Sequence, residues 1–467
     1  MTRSRVVLLA GVLALPLLAA PAQAASATVT VDYGKILRRI DGLGFAQPFR
    51  RNELVLALPE RQQQEILDLW LSRDKGAGAS ILRFGIGSSP AGAPYDQMVS
   101  IQPEDPGGPD APPKYVWDGQ DNAQVWLAKI AKERYGVDRF FFDAWSAPGY
   151  MKDNGTDSGG GTLCGLSGTS CAGGDWRRAY ARYLIDYTRF YRREGIKITD
   201  LGFTNEPDYT ATYASMRFTP EQAVEFIKII GPMAGKEGVK LVCCDSFGWT
   251  EAKAYTAAIE ADPEARRLVK VHTGHTYASP IDSPLPTDRP TWMSEMTPNG
   301  NTWNENWDDG SGYDGWWMAN HIHDSFALGN VSAYVSWFGA SRGATRAFLQ
   351  IDEVNKTYRV SKRLWAFAAY SRFIRPGAVR VEAASADPAL KVTAFRNPDG
   401  SRVIEIINTA ATAVQAEVPG HGRRATAYVT DTTRSLERAD ILRGHGAALT
   451  ADLPPRSLTT IVIPGRH

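Results

Sequence analysis

Short, unbroken apolar runs alternate along this chain with longer stretches whose apolar residues return every three or four positions. The runs lie at 40–45, 80–87, 139–146, 200–205, 240–246, 269–275, 290–296 and 331–338. Runs of this length without polar alternation are what strands covered on both faces require. Between or after them, 59–72, 122–133, 175–194, 220–236, 251–261, 315–328 and 356–373 carry helical spacing. Thr219-Pro220 opens one of these helices with a capping hydroxyl and a proline at the first position. Eight strands of this kind, interleaved with helices, predict an α/β fold: a closed (β/α)8 barrel of TIM type, with its functional residues at the C-terminal strand ends.

Past Arg375-Pro-Gly377 the period shortens to two. Predicted strands at 378–382, 391–396, 402–408, 414–418, 425–429 and 458–463 are separated by turns such as Asn397-Pro-Asp-Gly400 and Pro419-Gly420. No helical stretch interrupts them, so a β-sandwich of roughly eight or nine strands is expected at the side of the barrel. Ala27-Thr-Val-Thr-Val-Asp32 alternates in the same way and is expected to join that sandwich from the other end of the chain. The resulting map is a leader over 1–24, a joining strand over 25–40, a barrel over 41–374 and a sandwich over 375–467.

The leader follows from Arg3 and Arg5, an apolar run over 6–18 and Pro21-Ala-Gln-Ala24, the three parts of a secretory signal peptide cleaved after about Ala24. The run is too short to span a bilayer, and no other uncharged stretch reaches the ~18 residues that would. Removing Arg3 and Arg5 from 52 basic residues leaves 50 against 51 acidic ones. Such a balance argues against nucleic acid or an anionic membrane as partner and suits a neutral or mildly acidic substrate. Export also makes the four cysteines candidates for disulfides. Cys164 and Cys171 bracket a short Gly- and Ser-rich segment that needs a staple, so they are expected to pair. Cys243 and Cys244 are adjacent in a strand and should point to opposite faces, which predicts two small buried residues and no bridge. No cysteine or histidine set has metal-site spacing, and neither cofactor nor metal is expected. His272 and His275 differ by three along a strand and face opposite ways.

The chemistry starts at Leu201-Gly-Phe-Thr-Asn-Glu206-Pro-Asp208. Pro207 has no N–H and disfavours helix at Glu206, so the strand stops there and leaves a carboxylate at its tip. Pro290-Thr-Trp-Met-Ser-Glu295 repeats the pattern far downstream. Two strand-end glutamates in a barrel point to a glycosidase pair. The 13 Trp and 18 Tyr residues fit a cleft with flat apolar walls, although cores use the same rings. Competing motifs fail: Gly85-Ile-Gly87 lacks the third glycine of a dinucleotide loop, and the Asn304–Asp309 oxygen side chains have Asp309 where an EF-hand needs glycine.

Asn205-Glu-Pro207, together with Asp41-Gly-Leu-Gly-Phe45, Ile81-Leu-Arg-Phe-Gly-Ile-Gly-Ser-Ser89, Tyr115-Val-Trp-Asp-Gly119, Asp143-Ala-Trp-Ser-Ala-Pro-Gly-Tyr-Met-Lys152, Cys243-Cys-Asp245 and Ser336-Trp-Phe-Gly-Ala340, resembles glycoside hydrolase family 30. Within it they are most similar to the secreted xylanases best known from fungi. The resemblance implies the barrel-plus-sandwich fold and retention at the anomeric carbon. It implies Glu206 as acid/base, Glu295 as nucleophile and Asn205 as partner of the sugar 2-hydroxyl. Arg83 and Tyr277 would hold Glu295, with His275 beside them. Trp145 and Trp337 would wall the cleaved sugar, and Trp117 would add to the substrate surface. Arg51, next to Arg50, would bind a glucuronic acid branch of xylan, a task suited to a guanidinium fork, while Glu53 could neutralise that site. The expected activity is therefore endo-β-1,4-xylan hydrolysis by a monomer acting on a polysaccharide. Release of xylobiose from a chain end, cleavage of β-1,6-glucan or β-1,6-galactan, and a non-catalytic binding barrel are the alternatives.

Overall fold

A computed structural model describes residues 27–94, 97–298, 302–343, 347–420, 424–444 and 446–465. The leader expected over 1–24 lies outside these residues. Eight parallel strands close into a barrel: Gly42–Ala46, Ile81–Ile86, Arg139–Ala144, Asp200–Gly202, Lys240–Ser246, Val269–His275, Thr291–Met296 and Ala333–Trp337. The last pairs with the first, Gly42 through Ala46 facing Ala333 through Trp337. Every run read from the apolar pattern became a barrel strand.

The barrel interior is filled by alternate residues. Ile81, Phe141, Val242, Val271, Trp292, Ala333 and Val335 form one buried layer. One pleat higher on the same strands stand Arg83, Asp143 and Thr273, with His275 one pleat above Thr273, all buried, so the polar site grows directly out of the packed layer. Gly202 is glycine for a reason of space: a Cβ there would sit 2.0 Å from the Asp143 carboxylate.

Helices Glu60–Leu71, Gln124–Tyr135, Arg177–Arg193, Pro220–Glu237, Trp249–Ala261, Gly315–Ala327 and Lys362–Ser371 surround the strands. Thr219 caps Pro220–Glu237 in a reciprocal box with Gln222. The stretch 356–373 is shorter as a helix than its pattern suggested. Thr357–Val360 is a strand, paired antiparallel with Leu349–Asp352, and Ser361 caps the helix that follows. Two short helices, Arg51–Leu56 and Pro263–Leu268, lie in segments without a readable period.

The second unit is a ten-stranded sheet folded over its own core. Ala27–Arg39 is its hinge element, pairing antiparallel with Val379–Ser385 and parallel with Val414–Pro419. Val29, Val381, Ile404, Ile406, Ala451 and Ile461 fill the space between the two layers. Among the described residues, Glu437–Ala439, Leu442–Arg443 and Ala448–Leu453 are strands beyond those expected, the first two only three and two residues long.

Both cysteine pairs are bridged. Cys164–Cys171 staples the Gly-rich loop. Cys243–Cys244 corrects the expectation of two separate thiols. The peptide between them is cis, and both residues belong to the same outer core, so the strand does not alternate there. Among the described residues no helix is long and apolar enough to cross a membrane.

Candidate active site

Glu206 and Glu295 meet at the top of the barrel, each only 4 % exposed. Their carboxylate oxygens and a ring nitrogen of His275 all lie within 4.8 Å of one another. Glu206 is placed by a left-handed backbone, φ 50°, directly before Pro207. Its N–H donates to the Asp245 carbonyl at 2.8 Å, fastening the tip of the fourth barrel strand to the fifth.

Glu295 reaches the interior by a different device. Gly274 is opposite Met293 and His275 is opposite Glu295, so the seventh barrel strand carries one extra residue, Ser294. Strict alternation would send Glu295 outward with Met293, which packs in the outer core. The bulge turns it inward.

Arg83 anchors the Glu295 side. It is fully buried, and its Nη1 donates to Glu295 Oε2. Its Nη2 donates to Asp143 Oδ2 at 2.8 Å and to Asn205 Oδ1 at 2.6 Å, with Asp245 Oδ1 3.8 Å away. The guanidinium lies over the Trp145 ring, 4.6 Å from its centroid. Tyr277 donates to Glu295 Oε1 at 3.0 Å. Both Glu295 oxygens are thus held.

His275 Nδ1 is 3.1 Å from Glu206 Oε1, and Nε2 is 3.4 Å from Asp245 Oδ1. Burial opposes charge on this ring, but Glu295, Asp245 and Glu206 outweigh it and push its pKa up to about 10. Both ring nitrogens are turned to carboxylates, which favours the charged form of the ring. Burial raises Glu206 above the usual carboxylate range, helped by the charge of Glu295 and opposed by His275 and Tyr213. Asp143 is raised by burial and by Asp245, while the charges of Arg83 and His275 overcome burial and hold Asp245 low.

The raised His275 makes stability pH-dependent with a definite sign. Its contribution is complete below its ordinary value of 6.5 and is lost as pH climbs through about 10. Thermal melts across that window should show Tm falling with pH, and His275→Asn should flatten the fall. An unchanged slope in the variant would contradict the assignment.

The two carboxylates open into a cleft of about 450 Å³. Trp145, Trp337, Phe49 and Phe338 form one wall, with Trp337 and Phe338 stacked at 3.9 Å. Tyr209 stacks on Phe247 at 4.1 Å on the other side, and Tyr277 and Tyr213 complete the lining. Arg51 also lines the cleft; its Nη1 donates to the Phe49 carbonyl at 3.0 Å and its guanidinium lies over Phe338. Glu53, expected beside Arg51, is instead paired with Arg50 at 2.8 Å.

Trp117 is the exception among the residues singled out from the sequence. It stacks on Phe190 at 5.1 Å and donates to Glu194, on the flank of the barrel and outside the residues that line the cleft. The helix Arg177–Arg193 presents Tyr187, Phe190 and Tyr191 to it, an apolar partner that the loop sequence does not reveal. Reasoning from sequence passed over Asp143 and Asp245, although both stood in quoted motifs. It also passed over Tyr213, Tyr209, Phe49 and Phe247, which carry no motif or period.

Two family models match the chain: the glycosyl hydrolase family 30 TIM-barrel domain over residues 120–291 and the family 30 beta sandwich domain over 377–461. A structural match agrees over nearly the whole length: the catalytic domain of GH30 xylanase C from Talaromyces cellulolyticus is 34 % identical, with a TM-score of 0.87 over 93 % of this chain and 99 % of that one. The chain belongs to glycoside hydrolase family 30. Other relatives in the family differ in what their names say they cleave. Glucuronoxylanase XynC of Bacillus subtilis is 25 % identical over 359 residues, 73 % of this chain and 78 % of its own. The endo-1,6-beta-D-glucanase neg1 of Aspergillus fumigatus is 25 % identical over 350 residues, 68 % of this chain and 64 % of its own. Family 30 membership makes the chain a glycosidase by kinship, and Glu206 and Glu295 lie together in the barrel that carries that family's model.

Proposed function

We propose that this protein is an exported, monomeric, retaining glycoside hydrolase that cleaves β-1,4-xylosidic bonds in xylan, glucuronoxylan in particular. The observation that carries the mechanism is the spacing and inequality of the two glutamates. Retaining enzymes keep their carboxyls about 5–5.5 Å apart, and an oxygen of Glu206 lying within 4.8 Å of one of Glu295 supports such a spacing. Glu206, raised by burial, starts as the acid; Glu295, gripped by Arg83 and Tyr277, stays the anion that attacks.

In the first step Glu295 attacks the anomeric carbon while Glu206 protonates the leaving oxygen. In the second, Glu206 takes a proton from water, which displaces the ester of Glu295 with a second inversion. Asn205, its Oδ1 turned to Arg83, offers its amide N–H to the sugar 2-hydroxyl. Trp145 and Trp337 form the floor under that sugar. The xylan assignment is supported by the likeness to the Talaromyces xylanase, and Arg51 in the cleft supplies a cation for an acidic branch.

Glucuronoxylan and unbranched xylan offered separately test this reading. Retention should appear as the β-anomer of the first product, read by NMR before mutarotation. Products should carry their uronic acid at one fixed position, and Arg51→Ala should weaken action on the branched polymer about tenfold while sparing the unbranched one. Equal loss on both polymers would remove Arg51 from branch recognition. Cleavage of β-1,6-glucan with neither xylan touched would replace the polymer and leave the catalytic pair standing.

A further inference from the structure

We propose that Tyr213 is a positioning residue for the acid–base carboxyl, its hydroxyl holding the oxygen of Glu206 that gives up the catalytic proton. The inference rests on the reading of Glu206 as the acid. His275 Nδ1 faces Oε1 at 3.1 Å, and the Tyr213 hydroxyl donates to Oε2 at 3.2 Å. A cationic N–H at Oε1 repels a proton there, so the proton belongs on Oε2. When the glycosidic C–O bond breaks, the Oε2–H bond breaks with it and the leaving oxygen takes the proton. Negative charge then forms on Oε2, where the Tyr213 O–H already points. In the second step the same oxygen recovers a proton from water.

The side chain is built to stay there. Tyr213 is 42 % exposed and sits in a loop, where a ring would ordinarily sample several rotamers. This loop is tied down before it, where Gly159 N–H donates to the Ala211 carbonyl at 2.9 Å, and after it. Ser215 N–H donates to the Asp157 carbonyl at 2.9 Å and Gly160 N–H to Ser215 Oγ at 2.8 Å. Buried Lys152 donates to the Ser215 carbonyl at 2.8 Å, and Arg217 N–H to Gly161 at 2.7 Å. All these partners lie in 152–161, the stretch that leads into the Cys164–Cys171 staple. Asp157 in turn holds the hydroxyls of Ser88 and Ser89, linking the loops after the second, third and fourth strands. Phe49, edge-on at 6.4 Å, packs against the Tyr213 ring itself.

The other charged or titratable groups around Glu206 are His275, Glu295 and Tyr277, with Asp245 behind His275 and Arg83 behind Glu295. Tyr213 is the partner that can be altered at Glu206 without touching Glu295.

Tyr213→Phe keeps the ring and its contact with Phe49 and deletes one hydroxyl. It should lower kcat/KM roughly ten- to hundredfold for xylo-oligosaccharides, whose leaving sugar needs a proton. For a dinitrophenyl xyloside, which needs none, kcat/KM should stay within about twofold. Loss of a donor to the ionised carboxylate makes ionisation harder, so the alkaline limb of the profile should move up by as much as about one unit. Equal losses on both substrates, or an unmoved limb, would overturn the proposal. The comparison is run on whichever glycan is cleaved by the wild type and spared by Glu206→Gln, so an error about the polymer leaves it intact. If Glu206→Gln cleaves every substrate like the wild type, the acid reading fails and Tyr213 loses its role with it.

Discussion

Glu295→Gln is expected to end turnover, lowering kcat roughly 10⁴- to 10⁶-fold, because the amide that replaces the carboxylate is no nucleophile. The substitution is nearly isosteric, so Tyr277 can still donate to the amide oxygen and the Trp145–Trp337 wall is undisturbed. Loss of charge reaches further than the reaction. Glu295 is the strongest of the charges that hold His275 in its cationic form, so in the variant burial gains on them and the imidazolium weakens. Glu206 loses a negative neighbour at the same time. A shift of the pH dependence of stability should accompany the loss of activity. The sharper test is Glu295→Ala with a β-aryl xyloside and azide. A small anion entering the vacated space should attack from the face Glu295 used, giving an α-xylosyl azide. Residual activity above about 1 % in Glu295→Gln, or a β-azide from the alanine variant, would remove Glu295 from the attacking position.

How much of this was legible in the sequence follows from what each feature depends on. The barrel strands were readable because a strand covered on both faces must be apolar throughout, and Pro207 marked the end of the fourth as a matter of covalent chemistry. Glu295 was found by its place at a strand end, yet its inward aim depends on the bulge at Ser294, which no period encodes. The bridge between Cys243 and Cys244 escaped for the related reason that adjacent strand residues were taken to alternate. Tyr213 was invisible because its meaning lies in a loop fixed by backbone hydrogen bonds to another loop. Trp117 and Trp145 look alike in sequence; one found an aromatic helix face and the other a buried guanidinium. Ring type was readable, ring partner was not.

Arg83→Met should be the most destabilising of the substitutions considered, because Arg83 is the larger of the two positive charges, with His275, that offset the buried carboxylates around it. Its guanidinium is wholly buried and contacts Glu295, Asp143 and Asn205, with Asp245 within ion-pair distance. Removing one partner of a buried ion-pair cluster costs about 3–5 kcal/mol, since the remaining charges keep their desolvation penalty without their attraction. For a barrel of this size that is a fall in Tm of about 4–7 °C. Arg83→Lys should recover only part of it, because one ammonium cannot reproduce two guanidinium nitrogens directed at Glu295 and at the Asp143–Asn205 pair. The sign of the pH dependence separates this account from a simple packing defect. Burial and the charge of Asp245 already raise Asp143, and Arg83 is the principal charge that keeps Asp245 low. Without Arg83 both carboxyls take up protons more readily in the folded state than in the unfolded chain. The variant should therefore gain stability relative to wild type as pH falls through the carboxylate range and lose most ground at neutral pH and above. Melts of both proteins across that range would show the gap narrowing toward acid. A gap independent of pH would mean that Arg83 acts there by volume alone.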